Sequence, residues 1–381
     1  MRTAPRPSIL HVYKDYYPPV LGGIEKCIHW MADATSDEYH VTVLVASRDR
    51  QLHDDIIDGV RVVRVGCLAR AFSSPLSPGY VKWLRRLRSD ILHFHMPNPV
   101  GELAALLANQ PCRMVATYHS DIVRQKLTGL IYRPLQRRFL DRLNLIMPTS
   151  QRYIDSSATL QPFAQKCKVV PLGVPVSEYE STDTSRAFAA RLRDESPDRT
   201  RIIFLGVLRY YKGLHFLVEA MEQLPAKAVL LIGGDGPERA RLESLVHKKN
   251  LTDRVRFLGA ISDDEAVGLR EAGDIFCLPA HLRSEAFGLC QIEAMLAALP
   301  LVSTNLDTGV PEINQHETTG LIVPPANSAA LAQALTRLVE DDCLRRKLGT
   351  QARERALENY TAATMGKRLK KIYASLVKSP A

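Results

Sequence analysis

The chain has 381 residues, 46% of them hydrophobic and 24% charged, and carries a net charge of +9. That length supports about two domains, the apolar fraction excludes a disordered chain, and no apolar run approaches the ~20 residues of a membrane-spanning helix. The positive balance suits anionic partners: nucleotide phosphates, anionic lipid or nucleic acid.

The first eight residues are basic and Pro-containing. The apolar run at 9–13 is too short for a signal peptide and reads as a strand, so a cytoplasmic protein is expected. Further strands are predicted at 41–46, 60–65, 91–95, 114–118, 145–148 and 168–171, with helices such as 23–34 and 101–107 between them. The polar stretch 177–199 breaks the alternation and reads as a linker holding a short helix at 185–192. A second series follows, with strands at 202–207, 229–232, 255–258, 274–278, 301–303 and 321–323. Its helices are predicted at 213–224, 238–248, 263–272, 288–297 and 329–339. Met365, Leu369, Ile372 and Leu376 recur at helical spacing in the last stretch. Alternating strands and helices indicate parallel sheets. The expected architecture is two Rossmann-like domains facing across a cleft: 1–178, then a linker 179–200, then 201–360. A C-terminal helix in 361–381 packs back over the domain junction onto the first domain. Seven scattered cysteines contain no C-x-x-C pair, which argues against a zinc knuckle or redox dithiol.

Doubly wound sheets bind ligands beyond the carboxyl ends of their strands, and the sharpest motifs lie there. Ser284-Glu285-Ala286-Phe287-Gly288-Leu289-Cys290-Gln291-Ile292-Glu293 follows a strand and opens a helix. Gly288 admits close approach to the backbone. The amides of Gly288 and Leu289 at the helix start suit a phosphate. Glu293 lies about 7.5 Å further along the axis, an offset that suits a ribose hydroxyl, while Glu285 is placed to reach a sugar hydroxyl. Two glutamates with seven residues between them, around Phe-Gly-Leu, resemble the E-x7-E motif of the retaining GT4 glycosyltransferases of the GT-B class. That resemblance implies that Glu285 contacts the donor sugar, Phe287, Gly288 and Leu289 line the donor site, and Glu293 binds the ribose.

Arg209 and Lys212, in Gly206-Val207-Leu208-Arg209-Tyr210-Tyr211-Lys212-Gly213, can converge on one diphosphate and stabilise the charge of a leaving nucleotide. The segment resembles the family's G-R-L-x-x-x-K-G, except that Val207 occupies the arginine position and Arg209 is expected to replace it. No Asp-x-Asp is placed to hold magnesium. Asp263-Asp264 sits at a helix start capped by Ser262. No metal and no cofactor are expected.

In the first half, Pro18-Pro19-Val20-Leu21-Gly22-Gly23-Ile24-Glu25 resembles the family's G-G-x-E loop, which implies that Gly22 and Gly23 approach the donor phosphates. His119 resembles the family histidine near the sugar, with Asp121 as the group that orients it and as an acceptor-site candidate. His93 and His95 share a strand face. They lack a third metal ligand in the sequence, and His95 is taken as a second acceptor-site candidate. Lys82, Arg85 and Arg86, and then Arg124, Lys126, Arg133, Arg137, Arg138 and Arg142, form basic segments interleaved with apolar residues. These suit solvated faces or peripheral contact with anionic membrane at its inner face. Nucleic acid is not expected, since no recognition motif accompanies the charge.

Gly233-Gly234-Asp235-Gly236-Pro237, Thr308-Gly309-Val310-Pro311-Glu312 and Gly320-Leu321-Ile322-Val323-Pro324 extend the resemblance over nearly the whole chain. It implies a retaining, metal-independent hexosyl transfer from a nucleoside-diphosphate sugar. Stretches around His119 and Glu285 look like bacterial surface-polysaccharide enzymes, which implies a GDP-mannose-type donor and a glycan or lipid-linked saccharide acceptor. The alternatives are a sugar-nucleotide epimerase of the same fold and a non-catalytic sugar-nucleotide-binding protein. A nicotinamide oxidoreductase requires G-x-G-x-x-G after a strand, a pattern that Gly233-Gly234-Asp235-Gly236 does not meet.

Overall fold

Val- and Ile-rich runs too apolar to face water on either side become the inner strands of parallel sheets. The computed structural model describes residues 6–20, 22–71, 74–121 and 126–378. The chain divides into two α/β units, Met1–Val174 with Ala362–Ala381, and Pro175–Thr361.

The first unit holds strands β1 (Ser8–Val12), β2 (His40–Ala46), β3 (His53–Ile57), β4 (Val60–Val65), β5 (Ala69–Ala71), β6 (Ser74–Leu76), β7 (Ile91–Met96), β8 (Arg113–Tyr118) and β9 (Leu145–Pro148). Seven of them form one sheet in the order β3-β4-β2-β1-β7-β8-β9, while β5 and β6 pair separately. Only β3 runs antiparallel in the main sheet. The sequence reading missed β3, because its residues are polar and it lies at the sheet edge. It is held by cross-strand ion pairs, Arg61 to Asp54 and Arg64 to Asp55. The Asp58-Gly59 turn before β4, with φ of 47° and 79°, is the signal that reveals such a hairpin. Conversely, the strand expected at 168–171 does not form. Lys168 and Val170 donate to carbonyls of Ile146 and Pro148, yet only Cys167 forms a bridge. Pro148 has no amide with which to return a bond to this segment, and Pro171 has none with which to extend it.

The second unit holds β10 (Thr200–Leu205), β11 (Ala228–Gly233), β12 (Val255–Gly259), β13 (Ile275–Leu278), β14 (Leu301–Thr304) and β15 (Gly320–Val323). All are parallel, in the order β12-β11-β10-β13-β14-β15. The strand order therefore reverses between β10 and β13. The stretch 177–199, expected as a linker, instead belongs to this unit. Its helix Asp183–Asp194 is longer than expected and begins with a capping box in which Thr182 accepts from Ser185. It buries Phe188, Ala189 and Leu192 and packs against the helix Asp263–Ala272.

The helix Ala362–Lys378 belongs to the first unit. Met365, Leu369, Ile372 and Tyr373 are buried along one face, and Lys370 pairs with Asp37 at 2.6 Å. Tyr373 also makes a polar anchor. Its hydroxyl lies 2.6 Å from Nδ1 of His93, whose Nε2 meets the Thr117 hydroxyl at 2.8 Å.

His93 is one of four buried histidines in this core, with His11, His95 and His119. Burial holds the His11 and His119 rings at a pKa of about 3 and those of His93 and His95 well below the ordinary 6.5. All four are neutral in the folded chain at neutral pH.

Two stability predictions follow from this core. Tyr373→Phe strands the buried Nδ1 of His93 and should cost roughly 1–3 kcal/mol, read as a lower urea midpoint. An unchanged midpoint would show that the anchor contributes nothing. Below pH 6.5 each buried ring gains a proton only on unfolding, so its contribution is full above that pH and declines as pH falls toward 3, by about 1.4 kcal/mol per pH unit. Glu102, raised by burial to about 7, and Glu25, also raised by burial, act in the opposite sense. Four rings outnumber two carboxyls, so a net loss of stability is expected as pH falls from 6 to 5. Both tryptophans, Trp30 and Trp83, lie in this unit, so their fluorescence reports its unfolding. A midpoint that holds steady over that interval would contradict the burial of neutral rings.

Candidate active site

In the second unit, the loops after β10 and β13 emerge side by side where the strand order reverses, the usual ligand position in a doubly wound sheet. The first loop carries Arg209 and Lys212, and the second carries Glu285. Lys212 Nζ donates to Glu285 Oε2 at 2.6 Å, with each side chain only 11% exposed. Burial disfavours the ammonium, but the Glu285 carboxylate, with Cys290 and Tyr211 beside it, outweighs that and holds the Lys212 pKa above its ordinary value. Arg209 is exposed. Val207, at the position where the resembled motif has arginine, is 50% exposed. The phenol of Tyr211 lies within the electrostatic reach of Glu285, Lys212 and Arg209 together.

Gly288 adopts φ 82° and caps the helix Leu289–Leu296, a left-handed conformation that favours glycine. The first amides of a helix have no intrahelical partner and are free for an anion. Phe287 is buried and packs edge-on against Tyr360. Glu293 is engaged by protein groups: Arg270 donates to Oε2 at 3.0 Å and the Tyr179 hydroxyl to Oε1 at 3.4 Å. An ionised carboxylate has lone pairs beyond these two bonds. The spacing of Glu285 and Glu293 gave no sign of Arg270 or Tyr179. His281, in the loop after β13, was also missed. Its ring nitrogens are buried without partners, and its ring stands edge-on to those of Tyr210 and His215. The Asp263-Asp264 start is a capping box, in which Ser262 and Glu265 bond reciprocally.

In the first unit, Gly22 caps the helix Gly23–Asp33. The close approach expected there is taken by the chain itself, since a side-chain carbon at Gly22 would stand 2.0 Å from Glu25 Oε2. Leu21 of this motif lies outside the described residues. A cavity of about 380 Å³ adjoins the loop, lined among others by Asp15, Tyr16, Pro19, Arg48, His53 and Asp55.

The strand order of this sheet reverses between β1 and β7. Register sets His11 opposite His93 and His95 opposite Thr117, and the amide of His119 donates to the Met96 carbonyl at 3.0 Å. Side chains alternate along strands, so the four histidines share one face. His119 Nε2 lies 3.2 Å from His95 Nδ1, and His95 Nε2 lies 2.9 Å from His11 Nδ1. Two expectations change. His95 is fully buried behind His119 and presents no surface to an acceptor. Asp121 does not orient His119. Its Oδ1 accepts from Tyr118 and Ser157, while His119 Nδ1 has no hydrogen-bond partner.

The structure also supplies a third histidine beside His93 and His95, because ring nitrogens of His11, His93 and His95 lie within 4.8 Å of one another. Tetrahedral zinc sets its nitrogen ligands roughly 3.4 Å apart around one point. Here His93 is already bonded through both nitrogens, and His11 and His95 are bonded to each other. Among the basic residues, Lys82, Arg86, Arg133, Arg137 and Arg138 are exposed. Arg85 donates to the Leu107 carbonyl and Arg142 to Asn109. Arg124 and the side chain of Lys126 lie outside the described residues. No helix among the described residues is long and apolar enough to cross a membrane.

Comparison with known proteins matches both halves. Residues 189–355 fit the profile of the glycosyl transferases group 1, and residues 21–178 that of Glycosyltransferase Family 4. The O-antigen chain mannosyltransferase C of Escherichia coli is 33% identical, over 97% of this chain and 99% of that protein. The D-rhamnosyltransferase WbpZ of Pseudomonas aeruginosa is 32% identical, over 93% and 92%. Among solved structures, the sucrose-phosphate synthase of Thermosynechococcus elongatus superposes with a TM-score of 0.81 at 22% identity, over 97% of this chain and 99% of that one. The two Rossmann-like units, the two family matches and the full-length relatives agree: the chain is an enzyme of the family 4 glycosyltransferases, with the GT-B fold.

Proposed function

We propose that the chain transfers a hexose of the mannose type from a GDP-sugar to a hydroxyl of a glycan or lipid-linked saccharide in bacterial surface-polysaccharide synthesis, with retention and without a metal. The buried Lys212–Glu285 pair at the β10/β13 switch point carries this reading. It sets an ammonium and a carboxylate side by side, next to a helix start at Gly288. A diphosphate leaving group gains negative charge as the sugar departs, and preorganised cations and amides stabilise it. Lys212, Arg209 and the Gly288 and Leu289 amides supply such groups, which gives magnesium no necessary role. Glu285 is committed to Lys212 and is a poor nucleophile, which favours attack by the acceptor hydroxyl on the leaving-group face. The departing phosphate then takes the acceptor proton.

The sugar class rests on relatives named for mannosyl and rhamnosyl transfer. His119 is the histidine assigned to contact the sugar, on the family resemblance of its segment. With His95 buried, the cavity beside Tyr16 and Arg48 becomes the acceptor-site candidate, because its aromatic and charged lining suits sugar hydroxyls. The exposed arginines at 133, 137 and 138 suit contact with an anionic membrane.

Lys212→Ala and Glu285→Ala should each abolish transfer. Each also leaves a buried charge unpaired, at a cost of about 3–5 kcal/mol, so activity alone does not separate chemistry from folding. The double variant Lys212→Met, Glu285→Met removes both charges. It should recover most of the melting temperature while remaining inactive, and near wild-type transfer by it would overturn the assignment. Ligand binding raises the melting temperature. GDP and GDP-mannose should stabilise the protein equally with and without EDTA. Stabilisation by UDP-glucose alone would remove the GDP assignment, and a shift abolished by EDTA would remove metal independence.

A further inference from the structure

His11, His95 and His119 stand end to end across β1, β7 and the end of β8. The rings of His11 and His95 are 5.2 Å apart at 17°, and those of His95 and His119 are 5.5 Å apart at 25°. These are separations of nearly coplanar rings bonded edge to edge through nitrogen, as the N···N distances of 2.9 and 3.2 Å require. Two nitrogens remain at the ends of the row, His11 Nε2 and His119 Nδ1. Both are buried, and neither has a hydrogen-bond partner.

A neutral imidazole carries one proton on two nitrogens, and each N···N contact needs one proton between its two atoms. Three neutral rings satisfy both contacts in only two ways. Either every ring is protonated on Nδ1, or every ring is protonated on Nε2. Any mixture brings two lone pairs or two hydrogens face to face. The all-Nε2 arrangement leaves an N–H at His11 Nε2, deep in the sheet core with no acceptor. The all-Nδ1 arrangement leaves a bare lone pair there and moves the unpartnered N–H to His119 Nδ1, on a ring 5% exposed where His11 is 0%. A buried orphan donor is less tolerated than an under-used acceptor, so the N–H is better placed at the less buried end of the row, His119.

We propose that His11 and His95 are positioning residues that lock His119 as an Nδ1–H donor toward the bound sugar. His119 is then a hydrogen-bond donor and not a general base, because it cannot accept a proton at Nδ1 unless all three rings change together. Extension of the row to a sugar hydroxyl rests on the glycosyltransferase reading of His119. The tautomers themselves do not.

The test is nitrogen-15 NMR of the imidazoles in the full chain labelled at histidine. Free imidazole side chains favour the Nε2–H form, so the expected result is distinctive: His11, His95 and His119 all protonated on Nδ1 at pH 7.5. A protonated Nε2 on any of the three, or a cationic ring, overturns the lock. Stoichiometric coordination of added zinc by these nitrogens, seen in the same spectra, overturns it as well. The wild-type spectra need no variant to fold. In His95→Leu the His119 spectrum should change to a mixture of tautomers. Transfer kcat should fall on the order of 100-fold, with the donor KM within about threefold. A His119 that stays wholly Nδ1–H in His95→Leu would show that the row does not set it. If the wild-type tautomers are as stated but His119→Ala transfers sugar at the wild-type rate, the row stands and the sugar-contacting role of His119 fails.

Discussion

The second unit is organised around one constraint: two opposite charges, nearly withdrawn from water, that need each other. An unpaired ammonium or carboxylate at the depth of Lys212 or Glu285 costs several kcal/mol. The loops after β10 and β13 are therefore fixed together wherever both residues are present. The topology makes this possible, because the two strands are neighbours at the point where the sheet order reverses. The pair also leaves capacity in reserve. An ammonium has three donors and a carboxylate several acceptor sites, and the Lys212–Glu285 bond uses one of each. A diphosphate and a sugar hydroxyl can be engaged without breaking the pair, which is what preorganisation requires.

The first unit solves the same problem with neutral groups. Its switch point, between β1 and β7, gathers imidazoles instead of ions. Burial without a carboxylate partner keeps them uncharged, so their order comes from hydrogen-bond direction alone. The helix Ala362–Lys378 is drawn into that order through Tyr373 and His93. The last helix is thus tied to the strand that carries the centre of the row.

Much of this was legible in the sequence, for physical reasons that also mark where it stopped. Strands buried on both faces announce themselves as Val- and Ile-rich runs, and β2, β4 and β11 fall close to their expected limits. The edge strand β3 does not, since charges such as Asp54 and Arg61 serve as its pairing surface. The stretch 177–199 looked like a linker because its charged residues outnumber its apolar ones. Only Phe188, Ala189 and Leu192 carry the buried stripe. The glutamate pair and Lys212 were visible as local motifs. What no local motif contains is register. His11 joins His95 because β1 pairs with β7 about eighty residues later, and Arg270 reaches Glu293 from a different helix.

Register also bears on the displaced arginine. The segment after β10 is extended at Arg209, with φ −112° and ψ 147°. Between Val207 and Arg209 lies Leu208, fully buried, its amide bonded to the Asp235 carbonyl and its carbonyl accepting from Glu238. The Arg209 amide donates back to the Val207 carbonyl at 2.9 Å, a tight turn centred on Leu208. An arginine moved by one position would have landed in the buried place of Leu208 and broken that anchor. Moved by two, it falls past the buried turn residue, where Arg209 is exposed as Val207 is. The departure from the family pattern thus leaves an exposed cation, Arg209, just past the leucine that anchors the turn.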